Sequence, residues 1–260
     1  MPSSVVTLIT DFGTRDGYVG EMKGVMLGLC PGACIVDVTH DIAPGDIHGG
    51  AWVLARIWKR FAPGTIHVAV VDPGVGGDRR PIAARTQGRW YVGPDNGLLT
   101  RVSGVPEEAR IIGSGAPGVS AGGATFHGRD VFAPAAAWLA GGGEPARLGP
   151  TLDGHALVRF DCPRPERRGD RVTGRVQHVD RFGNLITDIP AAWVDATCAI
   201  EIAGLVIGGV SSHYAAVDRG EIVAVIGSGA TLEIAVRDGS AAERLGARDG
   251  AAVSVRCSGG

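Results

Sequence analysis

Apolar, β-branched runs at residues 5–10, 34–38 and 65–71 alternate with stretches whose apolar residues recur at helical spacing, and this alternation constrains the fold most. Met22, Val25, Met26 and Leu29 form one helical stripe, closed by Pro31-Gly32. Ala51, Leu54, Ala55 and Trp58 form the next, stopped by Ala62-Pro63-Gly64. Strand, helix and strand in succession make βαβ units, whose crossovers put parallel strands into one sheet. Strand signals at 82–85 and 90–92 follow, and then a helix carrying Phe132, Ala135, Ala136 and Leu139, ended by Gly141-Gly142-Gly143. After the polar, proline-bearing stretch 161–170 the pattern changes to strand candidates at 172–179, 198–202, 222–226, 231–236 and 252–256, with no long helix. Two domains are expected: an α/β domain over 1–160 and a smaller β-rich domain over 171–260.

Composition narrows the functional classes. Hydrophobic residues make up 45% of the 260 and charged residues 20%, ordinary globular usage, so disorder is not expected. A net charge of -2 with dispersed arginines leaves no basic field for nucleic acid or an anionic membrane, which points to small-molecule partners. No apolar run approaches the roughly 20 residues that span a bilayer, and the N-terminus has no basic segment before an apolar stretch; a cytoplasmic location is the default expectation. Cys30, Cys34, Cys162, Cys198 and Cys257 are odd in number and lack Cys-x-x-Cys spacing, which suits a reducing compartment, and all five are expected to be small buried hydrophobes. Cys30 and Cys34 have no second thiol pair or nearby histidine pair to complete a zinc site.

Open α/β sheets bind ligands beyond the C-terminal ends of their strands. One such loop, Thr10-Asp11-Phe12-Gly13-Thr14-Arg15-Asp16-Gly17-Tyr18, offers two carboxylates suited to ribose hydroxyls or a cationic group, although Asp16 is equally suited to capping the following helix. Asp-Phe-Gly also occurs in protein kinases, but the kinase phosphate loop and catalytic loop are absent. A second loop, Val71-Asp72-Pro73-Gly74-Val75-Gly76-Gly77-Asp78-Arg79, read with Phe126-His127-Gly128-Arg129-Asp130, supplies an acid, an arginine and a histidine for a water-handling site. Its glycines do not have dinucleotide or P-loop spacing, and His40, His48 and His67 have no metal-binding spacing, so no metal site is expected. In the β-rich half, Asp180-Arg181-Phe182-Gly183-Asn184 is either an ordinary glycine-containing hairpin turn or a stacking face beside an amide that suits adenine.

The motifs Thr10-Asp11-Phe12-Gly13, Asp72-Pro73-Gly74-Val75-Gly76, Gly93-Pro94-Asp95-Asn96-Gly97-Leu98-Leu99, His127-Gly128-Arg129-Asp130 and Phe182-Gly183-Asn184 together resemble the S-adenosylmethionine (SAM) hydroxide adenosyltransferases, or SAM hydrolases, relatives of the fluorinases and chlorinases. The resemblance implies a Rossmann-like α/β N-terminal domain, a smaller β-barrel-like C-terminal domain, and a homotrimer with sites between subunits. It implies attack of water at the ribose C5′ of SAM, giving adenosine and methionine, with SAM as substrate and no cofactor. Carried over by motif, Asp72, Arg79 and His127 are the triad that holds and activates water. Asp11 binds the ribose hydroxyls, Asp16 and Asp180 face the methionine ammonium, Phe182 and Asn184 frame the adenine, and Ser228 holds the methionine carboxylate. Gly229 stands where the halogenases carry an arginine, Asp72 where they carry a tyrosine, and His127-Gly128 where they carry Tyr-Ser; an N-domain insertion of theirs is missing here. The competing expectations are a SAM-dependent 5′-halogenase and a non-catalytic SAM- or adenosine-binding module.

Overall fold

The computed structural model describes residues 4–102, 104–120 and 123–257, so the outer ends of both expected domains, residues 1–3 and 258–260, lie outside the described residues. The chain divides into two compact units, Met1–Asp161 and Cys162–Gly260.

In the first unit the alternation of the sequence becomes β1 (Val5–Thr10), α1 (Tyr18–Leu29), β2 (Cys34–Thr39), α2 (Ile47–Trp58) and β3 (Ile66–Val70). A hairpin of β4 (Pro81–Thr86) and β5 (Arg89–Pro94), then β6 (Glu108–Ile111) and α3 (Ala133–Ala140), complete it. The β4–β5 turn is Gln87-Gly88, both at positive φ (52° and 72°), the two-residue type whose twist matches its flanking strands. The sheet order is β2-β1-β3-β5-β4-β6; β1 pairs parallel with β2 and β3, and β3 with β5, while β4 and β6 add antiparallel edges. Strands β1 and β3 are buried almost throughout, as their unbroken apolar runs require. Two apolar layers flank the sheet. Met22 and Met26 of α1 pack with Phe132 and α3 in one cluster; Leu54 and Trp58 of α2 pack with Ile9, Val71 and Leu98 in another.

This order creates a topological switch. From β1 the chain leaves through α1 to β2 on one side; from β2 it returns through α2 to β3 on the other side of β1. The C-terminal ends of β1 and β3 therefore adjoin where successive crossovers diverge, leaving a crevice between the loops that follow.

The second unit comprises β7 (Glu166–Arg168), β8 (Arg171–Val179), β9 (Leu185–Pro190), β10 (Cys198–Ile202), β11 (Leu205–Gly208), β12 (Ile222–Ile226), β13 (Thr231–Val236), the short helix α4 (Ala241–Leu245) and β14 (Ala252–Cys257). Its antiparallel order is β11-β10-β14-β8-β9-β13-β12, with β7 on β8. An isolated bridge between Ser211, just past β11, and Val225 of β12 nearly closes the sheet into a barrel. Val172, Ile200, Leu232, Ile234 and Val255 fill its interior.

One expectation from cysteine usage is corrected. Cys198 of β10 and Cys257 of β14 are directly opposite cross-strand partners, their Cα atoms 4.0 Å apart, and form a disulfide. Cys30 and Cys162 are half-buried and Cys34 is exposed, so the five are not uniformly buried hydrophobes. Antiparallel pairing juxtaposed two residues 59 apart in sequence. The inference of a reducing compartment thus loses its premise. Titration of the denatured, unreduced protein with a thiol reagent is expected to give three thiols, rising to five after reduction; five before reduction contradicts the pairing.

His67 of β3 is fully buried, with its Nδ1 2.7 Å from the Thr7 hydroxyl and its ring against Trp58 at 4.7 Å. Burial, with help from the Arg89 charge, pushes its pKa down to about 4. Between its ordinary value and that one the unfolded chain binds the proton and the folded chain does not, so stability falls as pH is lowered through this window and levels off below it. Lowering pH from 7 to 4.5 should cost about 2 to 3 kcal/mol through this residue. Urea unfolding of His67→Gln should lose that part of the pH dependence; an unchanged slope contradicts the assignment.

Candidate active site

Asp11 follows β1 and Asp72 follows β3, so the two carboxylates stand at the tips of adjacent parallel strands. Gly45 donates its N–H to Asp11 Oδ2 at 2.9 Å, tying the loop after β2 to the loop after β1. A cavity of about 340 Å³ opens here, lined by residues that include Asp11, Asp72, His127 and an aromatic wall of Phe12, Tyr18 and Phe126. The three rings meet edge to face, with centroids 5.3 to 6.2 Å apart.

Arg79 unites the polar residues. Its Nε donates to both Asp72 oxygens at 3.0 Å, its Nη2 donates to Asp72 Oδ2, and the same Nη2 lies 2.7 Å from His127 Nδ1. The side chains of Asp72 and Arg79 are 4% and 10% exposed, so this is a buried ion pair rather than a solvated one. A guanidinium only donates, so His127 Nδ1 must accept, and the neutral ring carries its proton on Nε2. Burial and the Arg79 charge hold the His127 pKa below the usual imidazole range, against the opposing pull of Asp72 and Asp130. Arg79 Nη1 is buried and has no hydrogen-bond partner among the described residues. A buried donor left so is costly, part of the cost of keeping this guanidinium inside the fold.

Local structure explains why the loops meet. Val75 N–H donates to Asp72 C=O and Gly77 N–H to Gly74 C=O, so the segment after β3 turns twice. Gly76, at φ 75°, passes so close to the Ala124 carbonyl that a Cβ would lie 2.4 Å from it. His127 precedes a π-helical turn, Gly128–Phe132, that runs directly into α3. Single π turns often occur at functional sites. Arg129 holds this turn by donating to Asp130 at 2.7 and 3.0 Å and to Glu21 of α1 at 2.7 Å. A Cβ at Gly128 would meet Phe126 at 2.9 Å, Met22 at 3.1 Å and Phe12 at 3.2 Å.

Asp16 is exposed and does not line the cavity. Nor does it cap α1, whose N-cap is Gly17 with no side-chain hydrogen bond. Asp180, Phe182 and Asn184 form the β8–β9 turn. Asp180 Oδ1 accepts the N–H groups of Phe182 and Asn184, both at 2.9 Å, and Oδ2 accepts Asn184 Nδ2 at 3.0 Å. The hairpin reading of this segment thus describes its backbone, while the Phe182 ring is left 74% exposed. Ser228 sits in the β12–β13 turn. Because β13 runs antiparallel to β9, with Thr231 opposite Pro190 and Ile234 opposite Leu185, the two turns cap opposite ends of that strand pair. The second unit therefore does not gather Asp180 and Ser228 at one point.

Sequence reasoning named the three residues of the cluster but not its bridging member, because which side chain lies between the others is a property of the folded loops. It also assigned nothing to Phe12, Tyr18 and Phe126, whose place in the cavity wall depends on the meeting of two loops distant in sequence.

No group of His, Cys, Asp and Glu among the described residues is arranged to hold a metal ion, and none of the described helices is long and apolar enough to cross a membrane.

Residues 6–149 match the model of the SAM hydroxide adenosyltransferase N-terminal domain, and residues 174–254 that of its C-terminal domain. An (R)-S-adenosyl-L-methionine hydrolase of Thermus thermophilus is 40% identical over 96% of this chain and 98% of its own. A fluorinase of Actinoplanes sp. is 31% identical over 71% of each chain. A crystal structure of a conserved protein from Thermotoga maritima superposes with a TM-score of 0.89 at 32% identity, covering 96% of this chain and 99% of that one. With family models covering both units, the chain belongs to the SAM hydroxide adenosyltransferase family.

Proposed function

We propose that this protein hydrolyses S-adenosyl-L-methionine to adenosine and L-methionine by attack of water at the ribose C5′. The observation that carries the reading is the Asp72–Arg79–His127 cluster, in which Arg79 joins Asp72 to His127 and both of those residues line the cavity. Relatives named (R)-S-adenosyl-L-methionine hydrolase, 36% to 45% identical, support the substrate.

The chemistry suits these groups. The water oxygen forms a bond to C5′ as the C5′–S bond breaks, its electron pair returning to sulfur. A sulfonium cation thereby becomes a neutral thioether, and the departing methionine needs no general acid and no cofactor. With His127 Nδ1 engaged by Arg79, His127 Nε2–H donates to the water and the Asp72 carboxylate receives its proton. Holding water in line against C5′ in a site walled by three aromatic rings supplies the alignment and desolvation this displacement needs.

The remaining roles complete the proposal. Asp11 binds the ribose hydroxyls and Asp16 lies toward the methionine ammonium. Phe182 and Asn184 receive the adenine, and Ser228 the methionine carboxylate; because the ammonium and carboxylate share one carbon while the turns of Asp180 and Ser228 lie at opposite ends of β9–β13, these two residues act from different subunits. Of the roughly four acceptor positions of the Asp180 carboxylate, three are used within its turn, which leaves one for the ammonium. The enzyme is proposed to be a homotrimer with sites shared between subunits, in which the exposed Phe182 ring gains its cover.

Incubation with each sulfonium epimer of SAM should release adenosine and methionine, faster from the R epimer that the relatives' names specify. Added chloride or fluoride should give no 5′-halo-5′-deoxyadenosine. Failure to form adenosine above a protein-free control rejects the reading, and tight stoichiometric binding without turnover favours a binding module instead.

Replacing Asp72 or His127 by alanine should lower kcat on the order of 10²-fold, with the Kd for SAM changing much less. Because both act on one water, the double variant should lose far less than the product of the single losses. Single-turnover kinetics on the four proteins checks this; multiplicative losses show that the residues do not share a nucleophile.

A further inference from the structure

Residues 73–78, between Asp72 and Arg79, are all exposed and include Gly74, Gly76 and Gly77, so the loop's two internal turns are supported by few packed side chains. Its placement on the sheet is set at its ends, and both ends are tied to two successive residues just after β5. Asn96 Nδ2 donates to the C=O of Val71, the residue before Asp72, at 2.8 Å. Asp95 donates its N–H at 2.8 Å to the C=O of Arg80, the residue after Arg79. The Asp95 carboxylate, 2% exposed, accepts Arg80 Nε at 2.8 Å and also Arg80 Nη2. Its other oxygen accepts Val158 N–H at 2.8 Å, and Arg80 Nη2 donates to Ala156 C=O at 2.6 Å. Tyr91, itself buried, anchors the end of β5 by donating to Pro94 C=O at 2.7 Å. Neither Asp95 nor Asn96 lines the cavity.

We propose that Asp95 and Asn96 are positioning residues for the water-activating cluster, setting the separation of Asp72 from Arg79 and the reach of Arg79 to His127 by stapling both ends of the connecting loop. The kinetic part of this proposal rests on the hydrolase reading; the geometric part does not. Asp95→Asn keeps the size of the side chain and an acceptor for Val158 but removes the charge that holds Arg80. Asn96→Asp keeps the size and removes the donor to Val71, placing a carboxylate against a carbonyl. A displacement of about 1 Å between reacting groups costs on the order of 10²-fold in rate.

The test measures the melting temperature, kcat and KM for SAM, and the His127 titration by NMR, on wild type and on both variants well below their melting temperatures. The expected result is kcat lower by roughly tenfold or more with KM within about twofold. The His127 pKa should rise, because Arg79 withdraws while Asp72 and Asp130, the other charges acting on that ring, both favour its protonated form. The acid limb of the kcat profile should move up with it. Asp95→Asn combined with Arg80→Gln should cost little more than either alone. Folded variants with wild-type kcat and wild-type His127 titration overturn the proposal, as does a loss of activity that follows melting temperature while the His127 titration stays in place. If the wild type forms no adenosine, the hydrolase reading falls, and the His127 titration alone still decides whether Asp95 and Asn96 position Arg79.

Discussion

The site is organised by one guanidinium. Arg79 donates to the Asp72 carboxylate and to His127 Nδ1 through the same nitrogen, Nη2, so the positions of all three side chains are interdependent. A lysine in its place would offer a point charge on a flexible stem, without the planar fork that reaches a carboxylate and an imidazole in one geometry. The ion pair is buried, which favours it only where the geometry and the surrounding hydrogen bonds compensate for lost hydration. The neighbouring structure holds that geometry: the double turn after Asp72, the glycine that passes the Ala124 carbonyl, and the π turn that begins at Gly128. The imidazole is consequently held neutral with Nε2–H as a donor, which leaves the carboxylate as the acceptor of the pair.

That cluster lies where it does because of strand order. Parallel strands bring Asp11 and Asp72 to the same edge of the sheet, and the divergence of the crossovers at β1 and β3 leaves room between their loops. The aromatic wall comes from the β1–α1 loop, the first residue of α1 and the segment before α3; the helices α1 and α3 pack on the same face of the sheet.

The α/β architecture was legible because buried parallel strands need unbroken β-branched runs, and the amphipathic stripes of α1 and α2 lie between them. The short strands were harder to read: β6 spans four residues, β11 four, and β9 ends in Pro190, so none carries a long alternating signal. Nothing local indicates the Cys198–Cys257 pairing, which register across the barrel decides. The π turn is invisible for a related reason, since its residues satisfy a helical pattern whichever hydrogen bond closes the turn. At the site, residue types announced an acid, an arginine and a histidine. They did not announce that the arginine lies between the other two, nor that Asp95 and Asn96 bond to the two ends of the loop that carries Asp72. Partner choice across 15 or 25 residues, as for Arg80 with Asp95 or Val71 with Asn96, is set by which strands adjoin.

The difference between this chain and the halogenase pattern at 127-128 has a packing counterpart. Gly128 sits where a Cβ would press on Phe126, Met22 and Phe12 at once, so a serine there requires two rings of the cavity wall and a buried methionine to give way. His127 and Gly128 are consequently coupled: the histidine that meets Arg79 is carried by a turn that packs tightly against the aromatic wall. Exchanging only the polar groups of the cluster would leave the wall closed to the bulkier residue that follows. In this chain, therefore, substitutions at Asp72, His127 and Gly128 act on one shared structure rather than as independent changes.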